Sequence, residues 1–326
     1  MQNIIQCFFR SSTWQKMRKR TLLKAISFIY WKYINYYKNI HTFFSCKKNE
    51  FIARKKQTRA TPYGFGEIYI SLTSFPARLD ATYYAICSLF AQNFPVNKII
   101  LTLSKEEFPN GEKDITPRIL KFKDKGLEIL WADTNLKPHN KYFYSMKKYP
   151  NAIIITADDD ILYPQNTVSK LVDCYQKHPK AICALGVRQI LVNNGQPLSF
   201  SKWNTNLCYE PYRISKKILG QERMDLLAEG GSAVLYPPSI LPQETFNIEK
   251  IKQLVPFADD IWLKCMELLA NVPVVCYNNN QKVHIISFSQ NVGLFQINME
   301  NNQNDVQLLA ILNAYKEYNL INRLLQ

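Results

Sequence analysis

"NAIIITADDDILYP", residues 151 to 164, runs a continuous apolar segment into three adjacent aspartates and halts at Tyr163-Pro164. A run such as Ala152 to Thr156 has no polar face, so as a strand it belongs in the middle of a sheet covered on both sides. Its neighbours say which kind of sheet. "EIYISLTSF" (67 to 75), "NKIILTLS" (97 to 104) and "GLEILWAD" (126 to 133) read as three more strands. Between and after them, "ATYYAICSLFAQ" (81 to 92) has apolar residues at helical spacing. "HNKYFYSMKKYP" (139 to 150) and "NTVSKLVDCYQKHP" (166 to 179) read as helices stopped by Pro150 and Pro179. Strands separated by helices imply right-handed crossovers, hence an α/β fold with a mainly parallel sheet and helices on both faces. In such sheets ligands bind beyond the carboxyl ends of the strands, which is where the aspartates stand.

Three adjacent carboxylates repel one another, and the rim of a core makes the repulsion worse unless a cation is present. Mg²⁺ or Mn²⁺ removes the difficulty, taking one or two carboxylates plus phosphate and water oxygens. If the chain stays extended, Asp158 and Asp160 point to one side and Asp159 to the other, a D-x-D pair facing one metal. The alternative is that one or two of these aspartates cap the turn before Pro164.

Four stretches in this order, "SLTSFPARL" (71 to 79), "TADDDILYP" (156 to 164), "EGGSAVLYPP" (229 to 238) and "FADDIWLKCM" (257 to 266), resemble the sugar-nucleotide-dependent glycosyltransferases of GT-A fold. The closest type is the bacterial, family-2-like enzymes of capsule or lipopolysaccharide biosynthesis. The resemblance covers about 67 to 305. It implies a metal-dependent transfer of sugar from a nucleotide-sugar, a UDP-sugar first, to a glycan or lipid-linked acceptor, with inversion. It places Ser71, Thr73, Ser74 and Arg78 around the nucleotide. Asp160 and Asp158 fall on the metal, with Asp158 and Asp159 also near the ribose or metal-bound water. His284 in "KVHIIS" matches an extra metal ligand that some members draw from the C-terminal part. Lys141 would neutralise the diphosphate, Arg78 and Lys141 being otherwise ordinary surface cations.

Inversion needs a general base opposite the leaving group. The resemblance assigns it to Asp260, with Asp259 as its neighbour and cap, although Asp in a first helical turn is favoured anyway by orphan amides and the helix dipole. Gly230 and Gly231 permit close backbone approach, so Glu229, Gly230 and Gly231 are candidate contacts to donor or acceptor hydroxyls, or else make a tight turn before the strand "SAVLYP". Trp262, with Trp203 and Tyr236, offers a ring for stacking on sugar, against the alternative of a core side chain. A related-fold nucleotidyltransferase is the competing enzyme, but its first loop should be glycine-rich and "SLTSFPARL" has no glycine.

The net charge of +15 is not spread along the chain. Residues 1 to 60 hold 14 of the 41 Lys and Arg but only Glu50 of the 26 acids, which leaves a nearly neutral body of 27 bases and 25 acids. Leu22, Ile26, Ile29, Tyr33 and Tyr37 share one helical face there, with Arg20, Lys24 and Lys38 opposite. This basic aromatic segment suits an anionic membrane surface or packing on the body, with a non-catalytic nucleic-acid- or membrane-binding role driven by it as the remaining alternative to an enzyme. It contains no run of roughly 18 apolar residues and no clean signal peptide. The organisation expected is therefore a segment 1 to 60, a catalytic domain 66 to 290, and a C-terminal Asn-rich loop and helix 291 to 326. In that last helix Val306, Leu309, Leu312 and Tyr315 share a side, which closes over the acceptor or pairs with another subunit. Eight cysteines without metal-type spacing suggest free thiols in a reducing, cytoplasmic compartment, peripheral to the inner membrane.

Overall fold

The computed structural model describes residues 39–208, 210–278, 281–286 and 302–325. The expected amphipathic face Leu22 to Tyr37 lies outside them. In chain order the strands are β1 Ile68–Thr73, β2 Lys98–Ser104, β3 Leu127–Ala132, β4 Ile153–Thr156, β5 Ile182–Ala184, β6 Val187–Gln189, β7 Val192–Asn193, β8 Gln196–Pro197, β9 Asn204–Thr205, β10 Glu222–Arg223, β11 Leu226–Ala228, β12 Val234–Tyr236 and β13 Val274–Cys276. The helices used below are α1 over 39–53, α2 Leu79–Phe90, α3 Asn140–Lys148, α4 Thr167–Lys177, α5 Asp259–Ala270 and α6 Gln303–Ala314.

Eight strands form one sheet in the order β10-β13-β5-β12-β4-β1-β2-β3. The pairs β1–β2, β2–β3, β1–β4 and β5–β13 are parallel, while β12 runs antiparallel between β4 and β5. From β1 the chain winds outward through β2 and β3, then returns to lay β4 on the other side of β1. That reversal opens a crevice at the carboxyl ends of β1 and β4.

The alternation of each strand explains its burial. Ile68, Ile70, Leu72, Ile153 and Ile155 face one side, packing with Leu79, Ile86 and Phe90 of α2 and Val168, Leu171 and Val172 of α4. Tyr69, Ile100 and Ile154 face the other side, beside Met146 of α3. The isoleucine run is thus wholly buried, as a central strand requires.

One expectation is corrected. In α6 the buried side chains are Gln307, Leu308 and Ile311, whereas Val306 and Leu309 are exposed. The apolar face is therefore rotated from the one expected, and α6 packs onto α5 within the core. The described cysteines are free thiols, and most are buried.

Candidate active site

β4 ends at Thr156, so the aspartates follow the strand rather than belong to it. The chain turns at Asp159 and Asp160, so the strict two-sided alternation of an extended D-x-D is not kept. Asp159 is buried, its Oδ2 accepting from Ser74 Oγ at 2.6 Å and its Oδ1 from Arg78 at 3.0 Å. Asp160 shares that guanidinium at 2.9 Å. Asp158 turns the other way, to Lys141 Nζ at 2.8 Å. The backbone of this loop is pinned: Asp158 N donates to the buried Tyr163 hydroxyl at 2.7 Å, and Asp160 O accepts from Ile286 N at 2.8 Å.

The antiparallel placement of β12 completes the site. Val234 pairs with Thr156, so the short 3-10 turn Gly230–Ser232 that precedes β12 lies beyond the carboxyl end of β4. Ala233 follows with φ of 71°, a positive value unusual for a residue with a Cβ. A Cβ on Gly231 would stand 3.3 Å from Asp158 Oδ2, and one on Gly230 would stand 2.7 Å from Lys141 Nζ and 3.0 Å from Asp260 Oδ1. A side chain at Gly230 would therefore have to displace the Lys141 ammonium.

α5 contributes its first turn. Its N-cap is Ala258, and neither aspartate caps the helix through its side chain. That corrects the expectation of Asp259 as a cap. Instead Asp259 pairs with Lys141 at 2.8 Å, and both Asp260 oxygens accept from Gly230 N at 3.2 Å. Lys141 thus sits between Asp158 and Asp259, reached from α3, and it is buried. His139, just before α3, accepts at Nδ1 from Tyr142 and donates from Nε2 to the Val255 carbonyl at 2.7 Å, tying α3 to the segment before α5. Burial holds this imidazole down to about 4, so it is neutral at pH 7.

Charge is the main property of the cluster. Asp158, Asp159, Asp160, Asp259 and Asp260 face two cations, Arg78 and Lys141, so when all are ionised the negative charges of this set outnumber the positive by three. Burial, with Arg78 opposing, pushes Asp159 up to about 7. Burial and the neighbouring Asp259 push Asp260 well above its ordinary value. For Lys141 burial works against the charge, but Asp158, Asp259 and Asp260 outweigh it and hold the ammonium well above its usual range.

This donor set fits a divalent metal. Among the described residues no three His, Cys, Asp or Glu side chains form a ready cage, yet Mg²⁺ and Mn²⁺ ordinarily take one or two carboxylates and fill the shell with phosphate and water. Asp158 and Asp160 retain 32% and 17% of their side-chain exposure at the rim.

Several expected site residues are placed elsewhere. Ser71 is fully buried inside the sheet, and Thr73 donates to the Thr102 carbonyl, leaving Ser74 and Arg78 as the part of that loop that reaches the aspartates. Trp262 is fully buried and donates from its indole to the Thr245 carbonyl at 3.0 Å. It is a core side chain and not a stacking platform, as are Trp203 and Tyr236. The His284 ring lies against His41, centroids 6.3 Å apart, while its carbonyl accepts from Leu162 N. Its backbone forms a strap beside the aspartate loop, while its ring faces His41. Glu229 is half-buried, and its carboxylate is paired with Arg188 at 2.5 Å. Tyr163, His139 and Arg188 were not singled out by sequence. Tyr163 stands in the quoted stretch and His139 two residues from Lys141, the only signals available.

No family model matches the sequence, and no curated protein matches it. Among solved structures the fold is similar to that of a mannosyltransferase from Pyrobaculum calidifontis in complex with GDP-Man and Mn²⁺, at 9% identity and a TM-score of 0.43 over 76% of this chain and 67% of that one. It is also similar to residues 1–349 of TarS from S. aureus in complex with UDP, at 13% identity and 0.44 over 79% and 70%. The inositol-1-phosphate CTP transferase of T. maritima resembles it at 10% identity and 0.40 over 80% and 97%. These are likenesses of fold alone. By name these are glycosyltransferases and a nucleotidyltransferase, while the mixed α/β fold with a large, mainly parallel sheet is read from this chain's own strands.

Proposed function

We propose that the chain is a metal-dependent glycosyltransferase that moves a sugar from a nucleotide-sugar to a glycan or lipid-linked acceptor of surface polysaccharide. The observation that carries this reading is the aspartate cluster at the switch point of the sheet, with more carboxylates than cations at the place where such folds bind ligands. Asp158 and Asp160 would hold Mn²⁺ or Mg²⁺, which when bound neutralises charge on the diphosphate and makes it a better leaving group. Asp159 positions Ser74 and Arg78, and the guanidinium fork matches phosphate oxygens. Lys141 keeps Asp158 and Asp259 together.

Asp260 is the base in this reading. It is half-buried whereas Asp259 is buried, and an acid raised toward neutrality is a stronger base when ionised. It takes the proton of the acceptor hydroxyl as the oxygen bonds to the anomeric carbon, and the bond from that carbon to phosphate breaks with its electron pair on the diphosphate. The anomeric centre inverts. The nucleotidyltransferase alternative is disfavoured by the first loop, where a 3-10 turn Pro76–Arg78 replaces a glycine-rich cradle.

Calorimetric titration with UDP-, GDP-, CMP- and dTDP-sugars in Mn²⁺ tests the reading. One sugar nucleotide should bind and be slowly hydrolysed, and Asp160→Ala should lower that turnover by at least about 10²-fold. Binding of none of them, or pyrophosphate release from a nucleoside triphosphate and a sugar phosphate, would overturn it.

A further inference from the structure

Helix α1 has two apolar sides. On one, Cys46 packs with Ala81, Ala85, Leu162 and Ile286, and the buried Glu50 takes Lys47, Arg54 and the Tyr83 hydroxyl. On the far side stand Ile40, Phe44 and Phe51, with Phe43 at the edge between the two sides, and Phe43, Phe44 and Phe51 are 58%, 66% and 61% exposed. The outer side of a surface helix is ordinarily polar, and clustered exposed rings mark a surface that a partner covers.

We propose that this side of α1 docks on an anionic lipid surface. Lysines are interleaved with the rings: Lys47 lies 5.9 Å from the Phe43 ring and Lys55 4.4 Å from that of Phe51, with Lys48 exposed between them. A protein interface core is depleted of lysine. At a bilayer the same mixture is favourable, because rings enter the acyl boundary while lysine stems lie along it and their ammonium groups reach the headgroups. The one acid of α1, Glu50, is turned inward and neutralised, and residues 1–38 add eight Lys or Arg and no acid. The exposed rings run along the side of α1, so the helix lies flat on the surface.

The inner side of α1 reaches the aspartates through one layer. It packs on Leu162 and Ile286, and Ile286 N donates to Asp160 O at 2.8 Å. A bilayer against the outer side therefore lies about one helix diameter, ~10 Å, from the aspartate loop. A lipid-linked acceptor would need only a short excursion to reach the site. That consequence rests on the proposed transfer reaction; the docking does not.

The test is co-flotation of the full chain with vesicles of phosphatidylcholine alone or mixed with phosphatidylglycerol, at physiological salt. The protein should float with the mixed vesicles and not with the neutral ones. Phe43→Ser/Phe44→Ser/Phe51→Ser should lower partitioning by about 100-fold, roughly five-fold for each ring that half enters the bilayer. Lys48→Gln/Lys55→Gln, which leaves the Lys47–Glu50 pair intact, should cost roughly five-fold for each lysine. Both variants should keep the wild-type melting temperature and nucleotide-sugar binding, so failure of docking is distinct from failure of the transfer reading. The proposal is overturned if the serine variant floats like wild type, if neutral vesicles serve as well, if neither binds, or if a mixed-sequence single-stranded oligonucleotide competes the protein off the vesicles.

Discussion

Helix α5 buries charge in two places, and they are built on opposite plans. In its middle, Lys264 and Glu267 form an ion pair at 3.0 Å with side chains 2% and 1% exposed, one cation for one anion and sealed from water. Burial raises the Glu267 carboxyl while Lys264 opposes the rise. At its amino end, Asp259 and Asp260 join three more carboxylates around only Arg78 and Lys141 among the described partners. A buried charge serving only the fold is neutralised where it lies, because desolvation is costly. An unbalanced cluster at the mouth of a crevice is suited to a ligand that brings the missing positive charge.

The largest effect expected comes from unbalancing the sealed pair. Lys264→Met leaves Glu267 buried without a partner and should cost about 3–5 kcal/mol, whereas Lys264→Met/Glu267→Leu should recover most of it. Urea unfolding of both variants measures this. If the single and double variants are equally stable, pairwise neutralisation is not what keeps charge in the middle of α5.

The aspartate cluster should behave in the opposite sense, and pH reveals it. Asp159 has a folded value of about 7, above the ordinary 3.8 of the unfolded chain. A carboxyl raised on folding binds its proton more tightly in the native state, so its contribution is fully present below about 4 and is lost as pH climbs to about 7. For Asp159 alone that amounts to up to about 4 kcal/mol without metal. Asp260 acts in the same direction. Melting temperature without metal should therefore fall from pH 5 to pH 7.5, and Mn²⁺ should raise it far more at pH 7.5 than at pH 5. A metal response independent of pH would mean that the metal does not bind beside Asp159 and Asp260.

The sheet was legible because its signals are local. Alternation over Ile68 to Leu72 and the isoleucine run each fix a strand, and the rule that ligands gather at carboxyl ends turned Asp158 to Asp160 into a site. Partners distant in sequence were not legible. "SAVLYP" reads as a strand, but nothing local says that it runs antiparallel beside β4 and so brings Gly231 to Asp158. Lys141 was placed at the site, yet its pairing with Asp259 depends on how α3 and α5 pack. Trp262 misled because an aromatic two residues after a pair of aspartates suits both a sugar platform and a core helical face. Burial decided for the core. His284 misled similarly: its backbone adjoins the aspartate loop while its ring faces His41.

The smallest effect separates steric from electrostatic roles among three glycines, none of which has a positive φ. A methyl at Gly186 would meet Ser232 Oγ at 2.3 Å and Ser232 Cβ at 2.5 Å, a clash with a neutral, well-packed side chain. A methyl at Gly230 would instead push on the ammonium of Lys141 and on Asp260, and one at Gly231 would only touch Asp158 Oδ2 at 3.3 Å. Gly230→Ala should cost about 1–2 kcal/mol, within the range for overpacking, and Gly231→Ala less. The discriminating measurement is how each cost changes with pH in the absence of metal. Displacing Lys141 weakens the cation that opposes the raised Asp260 carboxyl, so the cost of Gly230→Ala should grow as pH rises and Asp260 ionises. The cost of Gly186→Ala should stay flat, since no charge is disturbed. Equal pH profiles would show that the turn before β12 is held by shape alone and that Lys141 is not what keeps the carboxylates together.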